Sequence, residues 1–412
     1  MDAGGISATG PNTTRLTSTL PDRVSPPTWA ADLAEKAGGA DFWVRAPGRV
    51  NLIGEHTDYT GGLVLPVALD LEIRGVVRVR GDAMVRVRSL SLGSADEFGI
   101  GSEDEGRGPE FGRYVRGVLA ALARPPGPDR PWDGFDLTLD STLPVAAGLS
   151  SSAALEGATA MAATAVNGID PSPEQLVAAC HWAENEFVGL ACGVMDQSIC
   201  IHGQPGHAML LDCGDGTRRH IPLGDLAIVV ADTGSERRLS ASAYNERRSQ
   251  CEQGLARLAE KSPDLESLRQ VDLAMLEHRR AELSPLIYRR LRHVVGENRR
   301  VEVMTEALAG GERSVMGEAM AASHRSLRDD FEVSSAELDA MVESAHDAPG
   351  LIGSRLTGAG FGGCTVSLVE PDRTAEFSAA LAEGYRRRSG REARVYACRS
   401  AGGAAWGRLR GD

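Results

Sequence analysis

The chain has 412 residues, enough for two domains, and its 25% charged and 42% hydrophobic content is that of an ordinary soluble protein. Its 44 basic against 57 acidic residues give a formal charge of −13, which argues against nucleic acid as partner, because duplex binding rests on phosphate neutralisation. The seven cysteines are scattered without a C-x-x-C pair or zinc spacing, and no 18-residue apolar run marks a membrane span. Reduced thiols and a cytoplasmic location are expected, with a monomer favoured.

Residues 1–28 are rich in Ser, Thr, Pro and Gly and lack an apolar signal-peptide core, so they read as a disordered leader. Val76–Arg80 and Met84–Arg88 alternate, predicting two half-buried antiparallel strands around a turn at Gly81-Asp82. The acidic, Gly-rich stretch 94–110 reads as a surface loop. A helix is expected over Arg113–Ala123 and a strand at Phe135–Leu139. The small and apolar run Ser150–Val166 predicts a buried helix stopped at Asn167-Gly168, and Pro173–Phe187 predicts a second. Short buried strands follow at Ala208–Asp212 and Leu226–Asp232. Leu239–Asp347 is helix-rich, with expected caps at Ser262-Pro263-Asp264 and Ser334–Glu337. Strands return at Ser354–Thr357, Cys364–Val369 and Ala393–Cys398 around a helix at Arg373–Arg388. Strands and helices mix without regular alternation, so the class is α+β. The expected division is an N-terminal domain over 29–220 and a C-terminal domain over 221–412.

Three stretches carry candidate chemistry. Arg49 to Asp58 places Arg49, Glu55, His56 and Asp58 around the apolar pair Leu52-Ile53. Carboxylates only accept hydrogen bonds and suit sugar hydroxyls, while Arg49 and His56 can donate to oxygens. The second stretch, Leu143 to Ala154, joins a strand to the start of the buried helix through Gly148-Leu149 and Ser150-Ser151-Ser152. Unpaired N–H groups at a helix start favour an anion, and the hydroxyls can cap the helix, bond phosphate or reach a metal. Lys36 and Lys261 are the sole lysines and neither lies in a Walker P-loop, nor are the D-F-G and H-R-D triplets of protein kinases present. Thr357 to Cys364 is the third. It matches G-x-G-x-x-G at Gly358, Gly360 and Gly363 but leads into a strand, which reads as a Gly-rich turn pressing on another loop or a phosphate rather than a dinucleotide site.

Together, and in this order, the three stretches resemble the GHMP small-molecule kinases, and the first resembles the galactokinase signature specifically. Cys192 to Gln197 and Ser240 to Arg248 are similar to further stretches of that family. The resemblance implies an N-terminal domain like the second domain of ribosomal protein S5, a helix-rich α+β C-terminal domain, and a site between them. Its catalytic aspartate and arginine fall on Asp196 and Arg49. Its sugar contacts fall on Arg49, Glu55, His56, Asp58, Gly193, Asp196 and Tyr244. Its phosphate loop, for ATP, falls on Ala146, Ala147, Gly148, Leu149, Ser150, Ser151, Ser152, Ala153 and Ala154, and its magnesium ligands on Ser152 and Glu184. The implied reaction is ATP-dependent phosphorylation of the anomeric hydroxyl of galactose, with Asp196 as base. Two alternatives stand beside it: a kinase for another sugar, such as N-acetylgalactosamine or arabinose, and a non-catalytic sensor of sugar and ATP.

Overall fold

The computed structural model describes residues 26–104, 108–124, 131–144, 148–235 and 240–409. The expectations for the leader up to residue 25, and for Ala146 and Ala147, lie outside these residues. The chain runs α1 (Thr28–Ala37), β1 (Phe42–Asn51), β2 (Leu63–Val64), β3 (Pro66–Val79), β4 (Met84–Ser89), β5 (Ser94–Gly99), α2 (Glu110–Leu122) and β6 (Phe135–Ser141). It continues through α3 (Ser151–Asn167), α4 (Pro173–Trp182), a π-helical turn (Ala183–Val188), α5 (Met195–His202), β7 (His207–Asp212), β8 (Arg218–Pro222) and β9 (Ala227–Asp232). Then come α6 (Ser240–Ala259), α7 (Leu273–His278), α8 (Pro285–Gly310), α9 (Arg313–Asp329) and α10 (Ala336–His346). The last elements are β10 (Leu351–Thr357), β11 (Cys364–Val369), α11 (Thr374–Ser389), β12 (Arg394–Cys398) and β13 (Ala405–Arg408).

Among the described residues the strands form three sheets, ordered β13-β1-β3-β6-β4-β5, β10-β11-β9-β12 and β2-β7-β8. The α+β class therefore holds. Helix α3 packs against β1 and β3, and its run of alanines lets the backbone lie close to the sheet within one continuous apolar core. The late strand β13 pairs with the outer side of β1, so the last strand of the chain completes the first sheet. All seven cysteines are free thiols. Among the described residues no helix is long and apolar enough to cross a membrane.

The structure corrects several expectations. Residues 76–80 and 84–88 do not pair as a hairpin, because β6 lies between β3 and β4 and runs parallel to β4. Gly134 makes this insertion possible. Its N–H donates to the Asp82 carbonyl and its own carbonyl accepts from Arg80 N–H, and a Cβ there would sit 2.1 Å from the Met84 carbonyl oxygen. Residues 94–99 form the edge strand β5 instead of a loop. The acidity that suggested solvent includes Asp96, whose carboxylate takes two 2.8 Å bonds from the buried Arg116 of α2. The helix expected to reach Phe187 changes at Trp182 into a π-helical turn. That wider turn seats Ala183 and Phe187 closely over Gly117 of α2, where a Cβ would meet both. Ser262-Pro263-Asp264 caps no helix. It forms a turn closed by Leu265 N–H on the Ser262 carbonyl, and the caps used downstream are Asp272, Ser284 and the predicted Ser335. The short strands β8 (Arg218–Pro222) and β13 (Ala405–Arg408) each carry too few apolar residues to alternate.

Removing one member of a buried ion pair leaves the other charge uncompensated. Asp96→Ala should therefore lower the unfolding free energy by about 3–5 kcal/mol in urea titration. A loss no larger than that of an ordinary surface substitution would show that the pair carries no such weight.

Candidate active site

The last turn of β1 starts the site. Gly48 lies where the β1–β3 register shifts between Pro47 and Arg49, and a Cβ there would sit 2.3 Å from Leu143 and 2.7 Å from the Leu149 carbonyl oxygen. The bare glycine brings β1 against the loop that precedes α3, and Arg49 N–H bonds the Leu149 carbonyl at 3.0 Å. The Arg49 guanidinium then makes three bonds. Nε and Nη2 each reach one oxygen of Asp196, in the first turn of α5, at 2.7 Å, and Nη1 donates to the Gly148 carbonyl at 2.8 Å. This is the fork geometry that a guanidinium offers a carboxylate. The Ser150 hydroxyl bonds the same carboxylate. Ser150 has φ of 57° and makes no side-chain cap for α3, so its hydroxyl serves Asp196 instead of the helix end. Holding a serine in that left-handed region costs on the order of 1–3 kcal/mol.

Around this fork lies a cavity of about 490 Å³, within the usual range for a small-ligand site. Arg49, Glu55, His56, Asp58, Gly148, Ser150, Ser151, Ser152, Glu184, Gly193, Asp196 and Tyr244 all line it. The remaining described members of the expected phosphate loop do not. Leu149, Ala153 and Ala154 are buried in the core, because they fall on the sheet-facing side of the α3 entry.

The first-motif residues differ in how free they are. Glu55 lines the cavity and is held by the protein at both carboxylate oxygens. One carboxylate oxygen accepts from Gly358 N–H at 2.6 Å and lies 3.1 Å from the Thr357 hydroxyl, and the other takes the Asn51 amide. The fully buried Arg355 lies 3.4 Å away. Burial still pushes the Glu55 carboxyl above the ordinary range, against the pull of Arg355 and Arg49. His56 is held as well. A carbonyl can only accept, so Nε2–H donates to the Ala359 carbonyl at 3.2 Å and Nδ1 accepts from the Tyr59 hydroxyl at 3.0 Å. The ring is neutral, its pKa lowered to about 3 chiefly by burial. The donor that the sequence assigned to His56 is thus spent inside the protein, on the third motif. Glu55 and His56 together clamp the Gly358–Gly363 turn onto the signature, which is the loop-against-loop role expected of that turn.

Asp58 faces the cavity. Gly193 leaves it room, since a Cβ there would sit 2.1 Å from the Asp58 carboxylate. Burial first, then the charges of Asp196 and Glu55, raise the Asp58 pKa to about 7. Tyr244 of α6 packs its ring against His56 and Tyr59.

On the far side of Asp196, the π-helical turn delivers Glu184 beside the Ser152 hydroxyl. Its carboxylate also takes the Gln197 amide at 2.5 Å, with the Cys192 thiol 3.5 Å away. Burial and then the Asp196 charge hold the Glu184 carboxyl above its ordinary pKa. Among the described residues no group of three or more His, Cys, Asp or Glu forms a metal cage. A carboxylate and a hydroxyl at the mouth of a phosphate loop instead suit a hard cation that keeps its other positions for phosphate and water. Asn51, Gln197, Arg355 and Glu156 also belong to this network, although the sequence did not single them out. A usable signal existed for Glu156, the single charged residue in the 17 residues of α3.

Comparison with known proteins matches residues 32–79 to the galactokinase galactose-binding signature, 113–204 to the GHMP kinase N-terminal domain and 304–387 to the GHMP kinase C-terminal domain. The chain is 45% identical over 368 residues to galactokinase of Chloroflexus aurantiacus, covering 88% of this chain and 92% of that one. It is 42% identical over 373 residues to galactokinase of Homo sapiens, covering 88% and 91%. The structure of Lactococcus lactis galactokinase complexed with galactose superposes with a TM-score of 0.86 at 32% identity, covering 92% of this chain and 98% of that one. Mevalonate kinase of Methanococcus jannaschii shares the fold at a TM-score of 0.62 and 18% identity, with 88% and 99% covered.

Asp58 yields a prediction whose sign can be worked out. Its folded pKa of about 7 lies above the ordinary value of 3.8, so the folded state keeps a proton that the unfolded state releases. Its contribution to stability is full below the unfolded pKa and is lost as pH rises through about 7. Urea unfolding of Asp58→Asn and the parent at about pH 5 and about pH 8 should show the variant gaining relative stability at the higher pH. The opposite order would contradict the burial of this carboxyl.

Proposed function

The chain belongs to the galactokinase family of the GHMP kinases, and from that premise we propose how its residues phosphorylate the anomeric hydroxyl of D-galactose with ATP. The observation that carries the proposal is the Arg49–Asp196 fork at the cavity floor, beside the entry to α3. Three bonds from Arg49 and Ser150 occupy Asp196, two of them on Oδ2 and one on Oδ1. A carboxylate offers about four acceptor sites, so Oδ1 keeps one for a hydroxyl in the cavity. Asp196 accepts the proton of the anomeric hydroxyl while that oxygen forms a bond to the γ-phosphorus. The bond between that phosphorus and the bridging oxygen breaks, and ADP leaves. Arg49 fixes the carboxylate and offsets charge on the transferring group. Positioning and charge stabilisation supply most of the catalysis of phosphoryl transfer in general.

Asp58, with Tyr244 and the groups clamped behind it, forms the sugar side of the cavity. The backbone N–H groups at the start of α3 face the phosphates. Ser152 and Glu184 would hold Mg²⁺, an assignment that rests on their oxygen donors meeting at the cavity wall. When bound, the ion neutralises charge on the phosphate oxygens. We place the reaction in the cytoplasm, whose reducing conditions preserve seven free thiols.

Asp196→Asn should bind galactose and ATP with little change while kcat falls roughly 10²- to 10⁴-fold, measured by ADP release and by calorimetric binding. Retention of most of kcat would refute the base role. Glu184→Ala should raise the Mg²⁺ concentration needed for half-maximal activity, and an unchanged Mg²⁺ titration would refute the metal assignment.

A further inference from the structure

Glu156 sits four residues beyond Ser152 on α3, on the same helix face and one turn deeper, and its side chain is fully buried. One of its carboxyl oxygens accepts from Gln197 Nε2 at 3.2 Å. Its other oxygen, Oε1, has no partner, and neither does Oε1 of the equally buried Gln197. Two unsatisfied acceptors on side chains already joined by one hydrogen bond are a costly arrangement in a dry interior. A single proton removes both defects. A carboxylic acid and a carboxamide can form a closed pair, in which the acid carbonyl accepts the amide N–H lying cis to the amide oxygen and the acid O–H donates to that oxygen. The trans N–H of the amide then points elsewhere. In this structure the Gln197 nitrogen also donates to Glu184 at 2.5 Å.

We propose that Glu156 is a positioning residue, held as a neutral acid in a two-bond pair with the Gln197 amide, and that this pair orients the remaining Gln197 N–H to hold the Glu184 carboxylate toward the metal position. The proposal deepens the reading of Glu184 as a Mg²⁺ ligand and rests on it for its functional half. Electrostatics agree with the geometry. Burial first, then the charge of Glu184, drives the Glu156 carboxyl well above its ordinary pKa, since adjacent carboxylates in a low-dielectric site cannot all ionise. The pairing also explains why an apolar helix carries one acidic residue. An outer partner of this kind fixes the direction of a ligand's lone pairs without touching the metal.

The test compares Glu156→Gln with Glu156→Leu. Glutamine reproduces the closed pair without a proton, its N–H donating where the acid O–H did, whereas leucine leaves the Gln197 oxygen bare. Infrared difference spectra of the metal-free parent against Glu156→Gln at neutral pH should show a buried, protonated carboxyl stretch that the variant lacks, apart from the Asp58 band that both share. Calorimetric titration with MgADP should leave Glu156→Gln close to the parent and weaken Glu156→Leu roughly 10- to 100-fold. Absence of the acid band from the parent overturns the proposal. So does a Glu156→Gln variant that loses MgADP affinity, because only an ionised Glu156 needs its charge. If Glu156→Leu does not fold, the parent and Glu156→Gln still decide the question through both readouts. An acid band present beside a Glu184→Gln variant of unchanged MgADP affinity would instead refute the metal assignment and leave the Glu156–Gln197 pair standing.

Discussion

The fork between Arg49 and Asp196 is the contact on which the rest of the site depends. Its two members stand 147 positions apart, one at the end of a strand and the other at the start of a helix. Arg49 is nearly inaccessible to water. A guanidinium in such a place is tolerable when its donors are satisfied, and here Asp196 and the Gly148 carbonyl take three of them. That demand fixes where the loop before α3 can run. It accounts for Gly48, whose missing side chain admits the loop, and for the left-handed Ser150 that turns its hydroxyl onto Asp196. The placement of Asp196 and that of the entry to α3 are thus one constraint.

A second buried charge cluster does for the Asp58 side of the cavity what the fork does for the floor. Glu55 gathers Asn51, Thr357, Gly358 and Arg355, which come from both ends of the chain. Glu297 of α8 extends the cluster. It accepts Gly54 N–H and the Ser323 hydroxyl and pairs with Arg300, and Arg300 first, with His293, Arg355 and the Ser323 bond, holds its carboxyl down at about 2 despite burial. At Asp58 burial and the charges of Asp196 and Glu55 outweigh the help of Tyr59 N–H and Arg49, so its carboxyl moves the other way. Environment, more than residue type, separates these acids into braces and a carboxyl that faces the cavity.

Much of this was legible in the sequence, and the boundary of legibility has physical causes. The buried helix α3 was readable because a long run of small, mostly apolar residues leaves few other options. The Gly-rich turn was readable because a strand follows it. The signature around Arg49 announced a polar pocket, and the resemblance located Asp196. Strand order was not readable: alternation in β3 and β4 reports which faces are buried, not that β6 comes between them. The partners of Glu55 and His56 were invisible for the same reason, since they lie some 300 positions downstream. Side chains that face the cavity also make contacts that only the tertiary fold creates. Asp96 shows the converse, an acid assigned to solvent that is in fact neutralised beneath a helix.

The placement of β13 has a bearing on how this enzyme comes into being. On the ribosome, β1 emerges early and pairs with β3, yet its other edge must wait for a strand made hundreds of residues later. An open edge is a template for wrong partners, and large chains expose such edges while they mature. The Phe42–Arg45 edge of β1 is therefore sealed only once that late strand has been made, so protection of this edge in the nascent chain should favour the yield of folded protein.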